Sequence, residues 1–529
     1  VPTEQDVVEE LSAPTGDRPS RGLPLVELAV VAAASLVVLA ALDPAALLTN
    51  FLPWRTDLTG HVVVPWVGER EPLSWLPGSW SDTMFLGVPI NQLYPWLPSA
   101  IASLLAHVLP LAVAFKIVVV APLVAMPWAM WGAAKWGRLP APFPAVAGVA
   151  TLPFLFDTAC TSCGGTITST LTGEYTFAWS MVFAILALGA VDRLGRTGRG
   201  LATSALLVTA AALSHPLPTL WLAIGIGVIA VAREVWTDRA IAVPFGIAAL
   251  AAALMSAVWW VPFLARRDWM PLLGYQRRDD LEVWLLPGGR LWELAILALA
   301  LLGTTWAVRR RHWLLIALAI QTAVAVAAFL RVGDGGQLYN LRVLPFWYLG
   351  RWVLAFAGAA WLVLALARRW GRRRDGAETD PVWVPVAALA ATVVLIGSAW
   401  GWWGTTIRPT ELADGSATIA GAQIPVTRQS TLPGVVLGGP STEIDRALVN
   451  SLLNCAVVPE PSLRTTGTIL RAGRTSPGFS LLICGSAQLV MTPVKILVTV
   501  SPDRRRELTR FPPIVRLYIS AVPPATMGM

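Results

Sequence analysis

Asp57 and His61 stand four residues apart in Trp54-Arg-Thr-Asp57-Leu-Thr-Gly-His61. If the stretch is helical, that spacing sets a carboxylate and an imidazole on one face. Such a pair can take a proton from a hydroxyl nucleophile, or hold a divalent ion against a substrate phosphate. The plain alternative is an aspartate capping a short surface helix beside a solvated histidine. Glu174 closes the stretch Cys163-Gly-Gly-Thr-Ile-Thr-Ser-Thr-Leu-Thr-Gly-Glu174, just ahead of a long apolar run. A carboxylate at the mouth of such a run is costly without a partner or a hydrated cavity, although the positive end of a helix dipole also tolerates one. Asp57 and Glu174 are therefore the candidate catalytic residues.

The candidate binding residues lie in the same kind of segment, between apolar runs. Asp82 is a second carboxylate close to Asp57, either a partner or a turn residue. Tyr94 and Trp96 follow it among Pro95 and Pro98, and their flat faces suit sugar rings or lipid headgroups. His215-Pro216 interrupts an apolar stretch, as a substrate-contacting histidine or as a hairpin tip. Arg266, Arg267, Arg277 and Arg278 crowd one loop with Asp268, Asp279 and Asp280. Guanidinium forks suit a phosphate or diphosphate, and the neighbouring acids offer a self-neutralised loop as the alternative. Tyr339-Asn340-Leu-Arg342 precedes the next apolar run, where Arg342 either holds a phosphate or snorkels to headgroups.

The elements that must position these groups are membrane spans. A spanning helix needs about 20 apolar residues. Runs of that kind fall near 24–45, 116–134, 141–156, 175–191, 201–215, 217–232, 240–263, 291–307, 313–331, 347–367 and 382–403. The expected fold is thus an all-α polytopic membrane protein with about eleven spans. Arg193/Arg196/Arg199, Arg233 to Arg239, Arg309 to Arg311 and Arg368 to Arg374 occupy every second gap, as cytoplasmic loops do. The run from Tyr94 to Leu111 keeps this alternation only if it lies on the outer surface as a juxtamembrane helix. The N-terminus is then cytoplasmic (residues 1–23) and the C-terminus outside, with the candidate residues on the outer side of an inner membrane. The long first outer loop covers residues 46–95.

Composition agrees with this class and excludes others. Of 529 residues 55% are hydrophobic and only 14% charged, against about 25% charged in soluble domains. The net charge of +8 sits in short blocks at span ends, so it speaks for lipid headgroups and not for nucleic acid. Residues 404–529 contain none of the chain's 26 tryptophans and are rich in Thr, Ser, Pro and Gly. β-like runs at 479–483, 496–500 and 514–519 leave that extracytoplasmic region either a small β-rich domain, joined by Cys455 and Cys484, or poorly ordered. Cys160-Thr-Ser-Cys163 has the spacing of a zinc half-site or a redox pair.

Several motifs together carry a family resemblance across residues 24–403. They are the aspartate of the first loop, Phe-Leu-Gly-Val-Pro-x-x-x-x-Tyr-Pro-x-Leu-Pro, Gly-Gly-x-x-x-Ser-Thr-Leu-x-Gly-Glu-Tyr, His-Pro, and Tyr-Asn-Leu-Arg-Val-Leu-Pro-Phe. The chain resembles the bacterial integral membrane family labelled 6-pyruvoyl-tetrahydropterin synthase-related, and its layout is similar to GT-C glycosyltransferases. That resemblance implies transfer of a sugar from a polyprenyl-phosphate donor to an envelope glycan or lipid acceptor. It maps the catalytic acid to Asp57, a second acidic position to Glu174 and a donor-phosphate contact to Arg342. The GT-C signature has a second acid close behind the first, and here Leu58 and Thr59 follow, which leaves divalent-metal use open. A non-enzymatic transporter or assembly factor for lipid-linked envelope precursors is the other expectation.

Overall fold

Apolar sequence of this length has one economical solution in a bilayer, the helix, because it satisfies every backbone group internally. The computed structural model describes residues 23–50, 57–71, 73–81, 88–92, 94–160, 162–269, 281–287, 290–332 and 338–375, with six short strands beyond residue 409. The helices used below are α1 (Leu23–Ala41), α2 (Asp57–His61), α3 (Val63–Arg70), α4 (Leu97–Ala106), α5 (Leu111–Trp136), α6 (Phe143–Val149) and α7 (Thr151–Leu155). They continue with α8 (Tyr175–Thr197), α9 (Leu201–Ser214), α10 (Pro216–Ala232), α11 (Arg239–Ala265), α12 (Leu281–Leu285), α13 (Arg290–Arg309), α14 (Trp313–Arg331) and α15 (Leu344–Asp375).

Among the described residues six helical stretches are long and apolar enough to cross a membrane: 111–136, 167–197, 239–265, 291–309, 313–331 and 340–366. Shorter apolar helices accompany them at 25–41, 97–106, 143–155, 201–214 and 216–232. Each expected run up to 367 falls on a helix or a helix pair, and the run 382–403 lies outside the described residues. The Tyr94 to Leu111 stretch becomes α4, ten residues long. At 1.5 Å per residue α4 is about 15 Å long, about half the hydrocarbon core, so it cannot cross.

The centre of the bundle is α8, packed on α5, α9, α10 and α11. A second group joins α13, α14 and α15. There Gly303 and Gly358 face each other, and a Cβ on either would lie 2.1 Å from a carbonyl oxygen of the opposite helix. Small residues let the two backbones approach, which is how helices associate where lipid removes the hydrophobic drive.

Ion pairs fix the two ends of the bundle. At one end Lys135 reaches Glu27 at 3.1 Å, and Asp192 takes Arg196 at 3.0 Å and Arg233 at 2.7 Å. Arg196 also donates to the Trp136 carbonyl at 2.8 Å. The beginning of α1 and the ends of α5, α8 and α10 therefore share one end, which also collects the arginine clusters of the described loops. At the other end Lys116 donates to the carbonyls of Ala46 (2.7 Å) and Thr49 (2.6 Å). Acids therefore stand at both ends: Glu27 is buried beside Lys135, and Asp192 between Arg196 and Arg233.

A two-stranded hairpin, β1 (Trp80–Ser81) and β2 (Val88–Pro89), lies between α3 and α4. Beyond residue 409, β3 (Thr410–Glu411), β4 (Ser416–Ile419) and β5 (Ala422–Pro425) form one antiparallel sheet. β6 (Ala456–Val458), β7 (Ser480–Cys484) and β8 (Lys495–Thr499) form another. The expected runs at 479–483 and 496–500 fall on β7 and β8, whereas 514–519 and Cys455 lie outside the described residues.

Candidate functional site

Asp57 and His61 begin and end α2, one helical turn apart, so they share a face as their spacing requires. What meets that face is the turn Thr170–Glu174, kinked at Gly173, that leads into α8. Gly173 makes the approach possible. Its φ of +139° is closed to side chains, and a Cβ there would lie 2.7 Å from the Asp57 Cβ and 3.5 Å from the His61 ring. The kink carries the next residue, Glu174, into the same place.

Glu174 pairs with Arg342 through Nη1, and each side chain is 13% exposed. Arg342 comes from the 3₁₀ turn Asn340–Val343, whose backbone bond from the Arg342 N–H to Tyr339 O is 3.0 Å. Its Nε is buried without a hydrogen-bond partner among the described residues. Tyr94 closes another side: its hydroxyl is 3.1 Å from His61 Nε2 and 3.4 Å from Thr176 Oγ1. The rings of His61 and Tyr94 are 4.6 Å apart, and the Tyr175 ring meets His61 edge-on at 5.6 Å. Four sequence-distant segments thus converge on one point.

Electrostatics separate the roles. Burial lifts the Asp57 carboxyl to about 6, with Glu174 adding to the rise and Arg342 opposing it. Burial drives the His61 imidazole down to about 4, helped by the Arg342 charge, so His61 is neutral at physiological pH. The Tyr94 hydroxyl is pushed well above its ordinary value by burial and stays protonated. A half-buried carboxylate near 6 suits a general base, because it is mostly ionised at neutral pH yet still basic. Asp57 makes no hydrogen bond or ion pair among the described residues that would compete for that task.

His215 stands beside this group. Its Nδ1 accepts the Leu217 N–H at 3.2 Å and so caps α10. Its ring lies 5.0 Å from Phe177, and the Arg342 charge reaches it. Tyr339 is tied to Ser162, inside the loop closed by the Cys160–Cys163 disulfide. The half-site reading of those cysteines gives way to a covalent bond. Arg266 does not join the cluster: it donates to Gln92 Oε1 at 3.3 Å and is otherwise exposed. Asp82 and Arg277 lie outside the described residues. Among the described residues no three His, Cys, Asp or Glu side chains gather to hold a metal ion.

A second ionic group escapes the motif reading. Arg351 on α15 is 1% exposed, with Glu293 of α13 at 2.6 Å and Asp157 at 3.6 Å. Tyr348 donates to Trp284 O at 2.7 Å, and Trp347 to Leu285 O at 3.1 Å, which pins α12 onto α15. The signal in the sequence is an arginine and a glutamate each lying inside a run counted as apolar.

A helical bundle with six stretches able to cross a bilayer, and an acid–imidazole–guanidinium group at one end, defines a multi-pass membrane protein. The chain belongs to the membrane protein family described as the 6-pyruvoyl-tetrahydropterin synthase related domain, which matches residues 92–405, more than half of its length. The match holds Tyr94, Glu174, His215 and Arg342 and begins after Asp57 and His61. No curated protein matches the chain.

Proposed function

We propose that this protein is a GT-C-like glycosyltransferase, acting at the outer face of the inner membrane with a polyprenyl-phosphate sugar as donor and an envelope glycan or lipid as acceptor. The observation that carries the reading is the meeting of Asp57, Glu174 and Arg342, brought from three segments far apart in sequence. In this reading Asp57 takes the proton of the acceptor hydroxyl as that oxygen attacks the anomeric carbon. The bond to the donor phosphate breaks, and Arg342 pairs with the charge gathering on the leaving phosphate. Glu174 holds Arg342 in place until the donor arrives. His61, neutral and bonded to Tyr94, fixes the face that α2 presents. The fold of the reading is eleven spans with the N-terminus inside and the C-terminus outside. A transporter or assembly factor for lipid-linked precursors is the second reading, and the buried Arg351–Glu293 pair inside two helices favours it.

The test is transfer from labelled decaprenyl-phosphate sugars by the natural protein and by Asp57→Asn, in membranes of equal protein content. Loss of a positioned base lowers turnover by about 10²–10⁴-fold. Equal turnover in both removes Asp57 as the base, and no turnover in either with every donor sugar turns the choice to the second reading.

A further inference from the structure

His215 has one nitrogen committed and one left over. Nδ1 accepts the Leu217 N–H and caps α10, whose first residue, Pro216, has no N–H of its own to offer. An acceptor Nδ1 in a neutral ring fixes the tautomer, so the proton sits on Nε2. That nitrogen has no hydrogen-bond partner among the described residues, and His215 is only partly buried. The ring is held by Phe177, which begins three residues beyond Glu174 and itself stacks on Phe346 at 5.6 Å. Phe346 in turn follows Arg342 by one turn, and the Arg342 charge acts on His215. Arg342 also keeps a buried Nε without a partner. The Phe177–Phe346 stack joins the His215 ring to the turn that bears Arg342, each of the two side chains keeps a donor unspent, and donors without an acceptor call for an anionic oxygen.

We propose that His215 has two tasks set by one tautomer: Nδ1 caps α10, and Nε2–H donates, beside Arg342, to an oxygen of a bound phosphate. The proposal rests on the anion-binding part of the function proposed above. The ligand chemistry is a phosphate monoester, the leaving group that transfer from the diester donor would release, or free phosphate, and the carboxylates of Glu174 and Asp57 nearby disfavour any anion that Arg342 does not neutralise.

Two substitutions separate the tasks. In His215→Asn the amide oxygen replaces Nδ1 as cap acceptor, and asparagine is a strong N-cap, but the Nε2 donor is gone. In His215→Gln the amide nitrogen reaches the Nε2 position and donates, but the cap is lost. The full chain in nanodiscs is titrated with farnesyl phosphate, inorganic phosphate and farnesol, and its melting temperature is recorded. The expected result is an Asn variant that melts with the wild type and binds farnesyl phosphate about tenfold more weakly. The Gln variant melts lower and stays within about threefold of wild-type affinity. Inorganic phosphate bound as tightly as farnesyl phosphate assigns the site to free phosphate with the same role for His215. An Asn variant of wild-type affinity overturns the role of His215 and leaves the transfer reading standing on Arg342. Farnesol bound as well as its phosphate, or no binding of either phosphate, overturns the phosphate site itself. Phosphate affinity that depends on His215, in a protein that transfers no sugar, keeps this proposal and removes the transferase.

Discussion

Asp57 and His61 sit one turn apart yet burial moves them in opposite directions, and the two shifts have opposite consequences for stability. The Asp57 carboxyl rises to about 6, so the folded state holds that proton more tightly than the unfolded chain. Its contribution is full below about 4 and is lost as pH rises through about 6. His61 falls to about 4, so here the unfolded chain holds the proton more tightly. Its contribution is full above about 6.5 and is lost as pH falls toward about 4. Melting temperature followed from pH 4 to 7 should therefore respond oppositely to two substitutions. Asp57→Asn removes a component that declines with pH, and His61→Asn removes one that increases. Equal slopes in both variants would mean that α2 leaves these groups in water. Transfer activity should rise through a midpoint near 6 as Asp57 ionises, and lose that midpoint in Asp57→Asn.

At the scale of elements, the site depends on pieces too short to read as structure from sequence. The i, i+4 spacing of Asp57 and His61 was legible because a helix face is local. Glu174 was legible as an acid at the mouth of an apolar run, but the kink before it was not, since it depends on Gly173 meeting α2 in three dimensions. Arg351 and Glu293 were hidden for the opposite reason: single charges vanish in a run judged by its average hydropathy. The Cys160–Cys163 bond links several of these pieces. Ser162, between the two cysteines, holds Tyr339, and the Tyr339 carbonyl holds the Arg342 N–H. On the other side Gly164 N–H donates to Ser169 Oγ at 2.6 Å, at the start of the turn that bears Glu174. The disulfide thus braces both partners of the ion pair. Closing so small a loop contributes about 2 kcal/mol in the chain-entropy account. In Cys160→Ser/Cys163→Ser, hydrogen exchange over residues 164–174 and 338–343 should speed up by as much as about 30-fold, with α5 and α8 unchanged. Protection that falls evenly across the bundle would show the bond to be a general staple with no particular hold on the site.

For the whole molecule the governing fact is that separate ionic groups stand at the two ends of α8. Lys135, Arg196 and Arg233 meet Glu27, Asp192 and the Trp136 carbonyl at one end, while Asp57, Glu174 and Arg342 gather at the other. That the described arginine clusters share one end was legible from the chain, because each crossing reverses direction and a basic cluster in every second gap must return to the same side. The weak point of that reading was the Tyr94 to Leu111 stretch, and α4, at ten residues, is too short to cross by itself. Positive charge resists export, so the arginine end should face the cytosol and the site the outside. Single cysteines report this directly in a Cys455→Ser/Cys484→Ser background, since Cys160 and Cys163 are already bonded to each other. Glu69→Cys, at the exposed end of α3 on the site side, should react with a membrane-impermeant maleimide in intact cells. Glu234→Cys, exposed between α10 and α11 beside Arg233, should react only after the membrane is opened. The reverse pattern would turn the site to the cytosol, where a donor presented in the outer leaflet could not reach Arg342. The proposed chemistry would then fail, although every contact within the bundle remained as described.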